Sequence, residues 1–282
     1  MNYSVAAPRG YRTEPDIEVG PLLDLIKLER GLDFTGYRRA SLARRVEKRM
    51  RSVGLHGVAE YRELLRTCPL EREKLVDAIL INVTRFFRDE SSWAFLAERV
   101  VPQLLGHGGG TGKIRVWSAG CASGEEAYTL AMLFAEAMGM DAFTERVAIH
   151  ATDVDDDALR RGRYAWYTER ELRHLPDALR RKYFQPAGGH HAVRDDLRRR
   201  VRFRWHNLTV DAPITHVDLL ACRNTLMYLN ADTQRHILSR FHHALNDGGV
   251  LFLGRAETLL THDHAFRPID LKRRISAKVP RA

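Results

Sequence analysis

The run Ile114–Ala131, IRVWSAGCASGEEAYTLA, joins a strand-like stretch to a helical one through small residues, among them Ser118, Ala119, Gly120, Ala122, Ser123 and Gly124. Small side chains let a ligand approach the backbone at the carboxyl edge of a sheet, where αβ folds bind their ligands. The turn lacks the G-x-G-x-x-G spacing of a dinucleotide site, and no Gly-Lys-Ser/Thr follows it as in a Walker A loop. It carries Glu125 and Glu126 to the helix start instead. Two carboxylates there would repel a pyrophosphate but could receive an ammonium group, which favours a zwitterionic, amino-acid-bearing cofactor. A purely structural strand, turn and helix is the alternative.

The next strand-like run ends in HATDVD and places Asp153 at its carboxyl end, about thirty residues after the first turn. A carboxylate so placed can accept hydrogen bonds from both hydroxyls of a ribose. Asp155 could instead cap the helix that follows. The segment INVTRFFRD, Ile81–Asp89, holds Asn82, Thr84 and Arg88 beside two aromatics, with Thr84 and Arg88 on one side at helical spacing. Two more strand ends are polar: Asn207 in WHNLT, and Arg223 with Asn224 in LLACRNTLMYLN. Such amides suit an adenine edge or a cofactor carboxylate, although each could equally form a turn.

Other chemistries find little support. Thirteen histidines include the adjacent pairs His190-His191 and His242-His243, but none has carboxylate or cysteine partners at metal-site spacing. No metal is therefore expected. There is no G-x-S-x-G elbow, and neither Cys121 nor Cys222 has a neighbouring base to activate it.

These residues need elements to hold them. After a frayed lead-in over residues 1–15, the expected organisation is a helical domain at 16–90 and an αβ domain at 91–282. Short amphipathic runs broken at Gly20, Gly31, Gly54, Gly57 and Pro69 indicate the first. A connecting helix at Ser91–Leu105 ends at a glycine run beginning with Gly106. Strands are expected at Ile114–Ser118, Val147–Thr152, Val201–Trp205, Val217–Cys222 and Val250–Leu253, with helices after Gly124 and from Asp155. Their alternation implies a mostly parallel sheet covered on both faces. A small β insertion is expected at about 183–205, around Gly188-Gly189.

Within Arg38–Arg51, seven basic residues accompany one acid, Glu47. Leu42, Val46, Met50 and Val53 form one inward stripe, leaving the basic groups to face outward. That face is either simply solvated or a docking surface for an acidic partner, with Arg38, Arg45, Lys48 and Arg49 as candidates.

With 282 residues and 44% hydrophobic content the chain can bury a sizeable core, which excludes a disulfide-stapled miniprotein and wholesale disorder. A net charge of +9 favours anionic partners without choosing among them. Three cysteines without ligand spacing, the lack of a long apolar span and an N-terminus unlike a signal peptide point to a soluble, cytoplasmic protein.

In order along the chain, YRRASLARRVEKRM, INVTRFFRD, VWSAGCASGEEAYTLA, ATDVDDDAL, HNLT, ACRNTLMYL and GGVLFLGRAETL resemble the chemotaxis receptor methyltransferases, the CheR family. The resemblance covers about Leu22 to Leu260. It implies a small all-α domain joined to a Rossmann-like α/β domain that binds S-adenosylmethionine and carries a small β-subdomain insertion. Matched motif by motif, the cofactor contacts would be Asn82, Thr84, Arg88, Glu125, Asp153, Asn207 with Leu208, and Arg223 with Asn224. Asp153 would take the ribose hydroxyls and Glu125 the methionine ammonium. Two departures stand out. Gly254-Arg255-Ala256-Glu257 replaces the Gly-His-Ser-Glu of many members, and the modest glycine signature of the insertion weighs against tethering by a receptor C-terminal pentapeptide.

The implied reaction is methyl transfer to receptor glutamate side chains, giving methyl esters and S-adenosylhomocysteine. Arg88 would orient the reactants and Tyr228 line the cleft. The implied partner is the cytoplasmic helical region of a methyl-accepting receptor, with the enzyme a monomer transiently associated with receptor arrays and not inserted in the membrane. Rivals are a cofactor-gated adaptor without turnover and a nucleic-acid methyltransferase. The latter lacks an Asn-Pro-Pro-Tyr type motif and a stacking platform, so no nucleic-acid partner is expected.

Overall fold

The computed structural model describes residues 18–106, 112–257 and 264–280. The lead-in expected at 1–15 lies outside them, as does the middle of the glycine run, residues 107–111. The chain divides into two compact units between Ile81 and Asn82. The expected boundary after residue 90 differs because Phe86 is buried in the core of the second unit, with Phe87 packed against it.

The first unit holds α1 (Gly20–Arg30), α2 (Arg39–Ser52), α3 (Val58–Thr67) and α4 (Pro69–Ile79). Leu42, Val46 and Met50 bury the inner stripe of α2. Its polar flank departs from the outward expectation at two positions. Arg49 forks onto the buried Glu71, with Nε 2.7 Å from Oε1 and Nη2 2.5 Å from Oε2, while Tyr61 donates to the same carboxylate at 2.7 Å. Arg45 donates to the carbonyl of Ile79, at the end of α4. Both lie beside the stripe, and a buried carboxylate or carbonyl needs a donor that their long stems can deliver. Arg44, Lys48 and Arg51 are the outward basic groups at helical spacing.

The second unit opens with α5 (Glu90–Phe95) and α6 (Val101–Gly106), joined by one π-helical turn over Leu96–Val100. There follow β1 (Ile114–Ala119), α7 (Glu125–Met138), α8 (Met140–Arg146), β2 (Val147–Asp153), α9 (Asp156–Tyr164) and β3 (Trp166–Tyr167). Next come α10 (Glu169–Leu172), α11 (Asp177–Tyr183), β4 (Phe184–Ala187), β5 (His190–Val193), α12 (Asp195–Arg198) and β6 (Val201–Trp205). The unit closes with β7 (Val217–Cys222), a 3-10 turn at Leu226–Tyr228, α13 (Ala231–Ala244), β8 (Leu245–Leu253), β9 (Phe266–Asp270) and β10 (Ile275–Lys278).

The main sheet runs β6-β2-β1-β7-β8-β10-β9, parallel from β6 to β8, with β10 antiparallel to both its neighbours. Its central strands are buried on both faces, so β1, β2 and β7 read as apolar runs rather than alternating ones. Trp117 packs on Phe241 of α13 at 5.6 Å, and Phe203 on Tyr128 of α7 at 5.8 Å. From β1 the strand order steps through β2 to β6 in one direction and through β7 to β8 in the other. The switch point therefore lies between β1 and β7, where such sheets bind ligands.

A second sheet, β3-β5-β4, is antiparallel. The insertion thus starts at Trp166 and ends at Val193, whereas residues 183–205 were expected. The two-residue β3 is too short for a periodic signal, and β6 belongs to the main sheet because Val201 and Phe203 turn inward. No described helix is long and apolar enough to cross a membrane.

Candidate functional site

At the end of β1 the chain turns through Gly120, Ala122 and Gly124, all with left-handed φ (75°, 46° and 96°). A Cβ on Gly120 would sit 2.3 Å from Thr225 Oγ1, and one on Gly124 would sit 2.8 Å from the Phe203 ring. The small residues therefore fit the turn against Phe203 of β6 and against the loop after β7. Ala122 has no such freedom, and its N–H donates to Asp153 Oδ2 at 2.8 Å.

Asp153 ends β2. Its Oδ1 accepts the Asp155 N–H at 3.1 Å, so each carboxylate oxygen keeps acceptor capacity for a diol. Burial pushes its pKa up. Asp155 caps α9 through Oδ1, accepting from the N–H groups of Asp157 and Ala158. Its other oxygen accepts from Asn82 Nδ2 at 2.5 Å. Asp155 thus serves the cap and Asn82, while Asp153 keeps acceptor capacity on both of its carboxylate oxygens.

Glu125 begins α7 and is 3% exposed. Ser123 Oγ donates to it at 2.8 Å, and among the described residues no cation lies within ion-pair distance. Burial raises its pKa to about 6. Glu126 is also raised to about 6 by burial, but it has Ser118 Oγ at 2.8 Å and Arg223 Nη1 at 3.7 Å. Of the two carboxylates expected at the helix start, Glu125 is the one left without a counter-charge.

The other sequence candidates sort by what already holds them. Asn207 commits Oδ1 to the N–H and hydroxyl of Thr209, leaving its Nδ2 as the group for a ligand. Leu208 is half-buried, and its carbonyl accepts from Arg240. Asn224 adopts a left-handed φ of 61°, and its N–H donates to Glu257. Thr84 and Tyr228 are half-buried. Arg88, half-buried, donates to the Val83 carbonyl at 2.9 Å. Arg223, expected among the cofactor contacts, turns into the core with its side chain 2% exposed.

Glu257 was named in the sequence only as the end of the Gly254-Arg255-Ala256-Glu257 stretch, with no role of its own. Buried, it accepts from four backbone N–H groups, those of Gly254, Asn224, Thr225 and Leu226, at 2.6 to 3.0 Å. It fixes the loop after β7, and its place three residues beyond the Gly254 turn was the available signal. Phe87, Asp89, Ala122 and Asn224 are four of the seven non-glycine left-handed residues among those described. Strain of about 1–3 kcal/mol at each persists only where the surroundings fix it, and such residues gather at functional sites.

Cys121 and Cys222 are buried, and burial pushes both thiols well up, which suits neither for covalent chemistry. Among the described residues no group of three His, Cys, Asp or Glu could hold a metal ion.

A parallel sheet with an antiparallel β10, a small-residue turn at its switch point, a carboxylate beginning α7 and another ending β2 define the class of S-adenosylmethionine-dependent methyltransferases. Residues 82–275 match the family model of the CheR methyltransferase SAM-binding domain, and residues 18–80 that of the CheR methyltransferase all-alpha domain. The chain belongs to the CheR methyltransferase family and is an S-adenosylmethionine-dependent enzyme. It is 34% identical over 248 residues to a chemotaxis protein methyltransferase of Listeria innocua, covering 87% of this chain and 92% of that one. Chemotaxis protein methyltransferase 1 of Pseudomonas aeruginosa is 36% identical over 221 residues, 76% of this chain and 80% of that one. An uncharacterized 104.1 kDa protein of Rhodobacter capsulatus is 36% identical over 262 residues, 93% of this chain, which spans only 28% of that protein.

The donor set fits S-adenosylmethionine. Glu125 is a buried carboxylate lacking the cation that the cofactor's ammonium would provide, and Asp153 keeps acceptors for a ribose diol.

Proposed function

We propose that this enzyme methylates side-chain carboxylates of specific glutamates in chemotaxis-type receptors, releasing S-adenosylhomocysteine. The observation that carries the reading is Glu125, buried without an ion-pair partner at the start of α7, after the switch-point turn of a CheR-family sheet. The Listeria and Pseudomonas relatives are named chemotaxis protein methyltransferases, which supports a chemotaxis protein as the acceptor.

Bound there, S-adenosylmethionine supplies an electrophilic methyl group on a sulfonium. In this reading Asp153 binds the ribose hydroxyls, Glu125 the ammonium, and Asn82, Thr84 and Asn207 with Leu208 complete the pocket. An acceptor glutamate has a pKa near 4.3 and is ionised at neutral pH, so the chain need supply no general base. Alignment is its main task. Arg88 orients the acceptor carboxylate, and Tyr228 lines the cleft. A stronger positive field would lower the acceptor's nucleophilicity, so one orienting arginine suffices.

Receptor docking falls to the outward face of α2. Lys48 and Arg38 remain candidates, and Arg44 and Arg51 take the places of the inward Arg45 and Arg49. Incubation with tritiated S-adenosylmethionine and a receptor cytoplasmic fragment tests the function. Radioactive methanol released by mild alkali, and lost on Glu-to-Ala substitution in the receptor, is the expected result. Alkali-stable label, or none with intact cofactor binding, would overturn it in favour of another acceptor or an adaptor.

A further inference from the structure

Arg223 directly follows β7, yet its guanidinium is buried against the segment that bears Arg88. Nη2 donates to the Arg88 carbonyl at 2.9 Å and to Asp89 Oδ2 at 2.8 Å. Trp93 Nε1 donates to the same carbonyl at 2.7 Å, so both acceptor sites of that oxygen are taken. The guanidinium lies 4.9 Å from the centroid of the Trp93 ring and 4.6 Å from that of Phe252, with Glu126 Oε2 3.7 Å from Nη1. Its Nε is buried without a partner, an unmet donor in an otherwise filled site.

The segment it grips is strained on both sides of Arg88, with Phe87 at φ 49° and Asp89 at φ 64°. Backbone in that region stays put only when its surroundings hold it. From the solvent side Arg255 Nε approaches Asp89 Oδ1 at 3.9 Å, and Arg255 also donates to Ser91 Oγ at 2.8 Å. Asp89 therefore sits between a buried and an exposed arginine, and the direction in which Arg88 leaves the backbone is fixed by its neighbours.

We propose that Arg223 is a positioning residue, whose grip on the Arg88 carbonyl and on Asp89 aims the Arg88 side chain at the reaction centre. The inference rests on the proposed role of Arg88. Only a planar fork can serve carbonyl, carboxylates and two ring faces at once, so lysine is no substitute.

A double-mutant cycle in the full chain tests it, using Arg223→Lys, Arg88→Ala and the pair. Receptor methylation gives kcat and KM, and calorimetry with S-adenosylhomocysteine gives binding. The expected result is a fall in kcat on the order of tenfold or more for Arg223→Lys, with KM for S-adenosylmethionine little changed. In the Arg88→Ala background the same substitution should have almost no effect. Equal losses in both backgrounds would overturn the inference and leave Arg223 a stability residue. Full activity of Arg88→Ala would instead overturn the role given to Arg88 itself. If Arg223→Lys fails to fold, Asp89→Asn loosens the same grip, and the identical comparison applies.

Discussion

Asn82 Nδ2 lies 2.5 Å from Asp155 Oδ2, a side-chain bond spanning 73 positions that ties the first residue of the second unit to the carboxyl end of β2. The same Asp155 caps α9 and donates its N–H to Asp153. The cap of α9 and the hold on Asn82 therefore meet in one carboxylate.

Asp155→Ser should separate the two. Serine can keep the cap, which is worth about 1 kcal/mol, but is too short to hold Asn82. Thermal stability should stay close to wild type while affinity for S-adenosylhomocysteine falls several-fold. Asp155→Ala should lose both, as read by melting and calorimetry.

Glu257→Gln replaces a carboxylate that accepts four N–H groups by an amide with one acceptor oxygen. With buried donors left unmet, destabilisation of roughly 2–4 kcal/mol is expected from urea unfolding. A variant as stable as wild type would contradict the role of Glu257 in holding the loop after β7.

The pH dependence follows from Glu125 and Glu126, both raised by burial from 4.5 to about 6. The folded, unliganded chain holds protons that the unfolded chain releases between those values. Their contribution to stability should be full below pH 4.5 and decline as pH rises through 6, on the order of 2 kcal/mol per carboxyl, while paired carboxylates such as Asp33 and Glu71 lose theirs at the acid end. Cofactor binding should run the other way, because an ammonium needs ionised Glu125. Calorimetric titrations from pH 5 to 7.5 should show affinity for S-adenosylhomocysteine rising with pH in wild type and rising less steeply in Glu125→Gln.

On α2 the inward and outward arginines should behave differently. Arg49→Ala strands the buried Glu71 carboxylate and should cost roughly 2–4 kcal/mol of stability, measured by denaturant midpoint. Replacing Arg44, Lys48 and Arg51 together by alanine should leave melting and cofactor binding near wild type while raising KM for the receptor fragment.

Much of this was readable from sequence where side-chain pattern and backbone agree. The strands β1, β2 and β7 announce themselves as apolar runs ending in polar residues, and the small-residue turn before Glu125 marks the switch point. The inner stripe Leu42, Val46 and Met50 located the buried face of α2, but periodicity fixes only where a Cα sits. It could not show that Arg45 and Arg49 curl inward along their stems. Arg223 was legible as a polar strand end, yet its partners Arg88 and Asp89 lie 135 and 134 positions away. The same distance in sequence hid Glu257, whose acceptors serve residues more than thirty positions earlier. The helix α13 was missed because polar residues and histidines dilute its stripe of Ile237, Leu238 and Phe241.

The central claim is that the cofactor lies at the β1–β7 switch point, held by Asp153 and Glu125. Calorimetric titration with S-adenosylhomocysteine, comparing wild type with Asp153→Ala, tests it most directly. Tight wild-type binding that collapses in the variant, with the fold retained by circular dichroism, is the predicted result. Undiminished binding by Asp153→Ala, or none by wild type, would contradict the account.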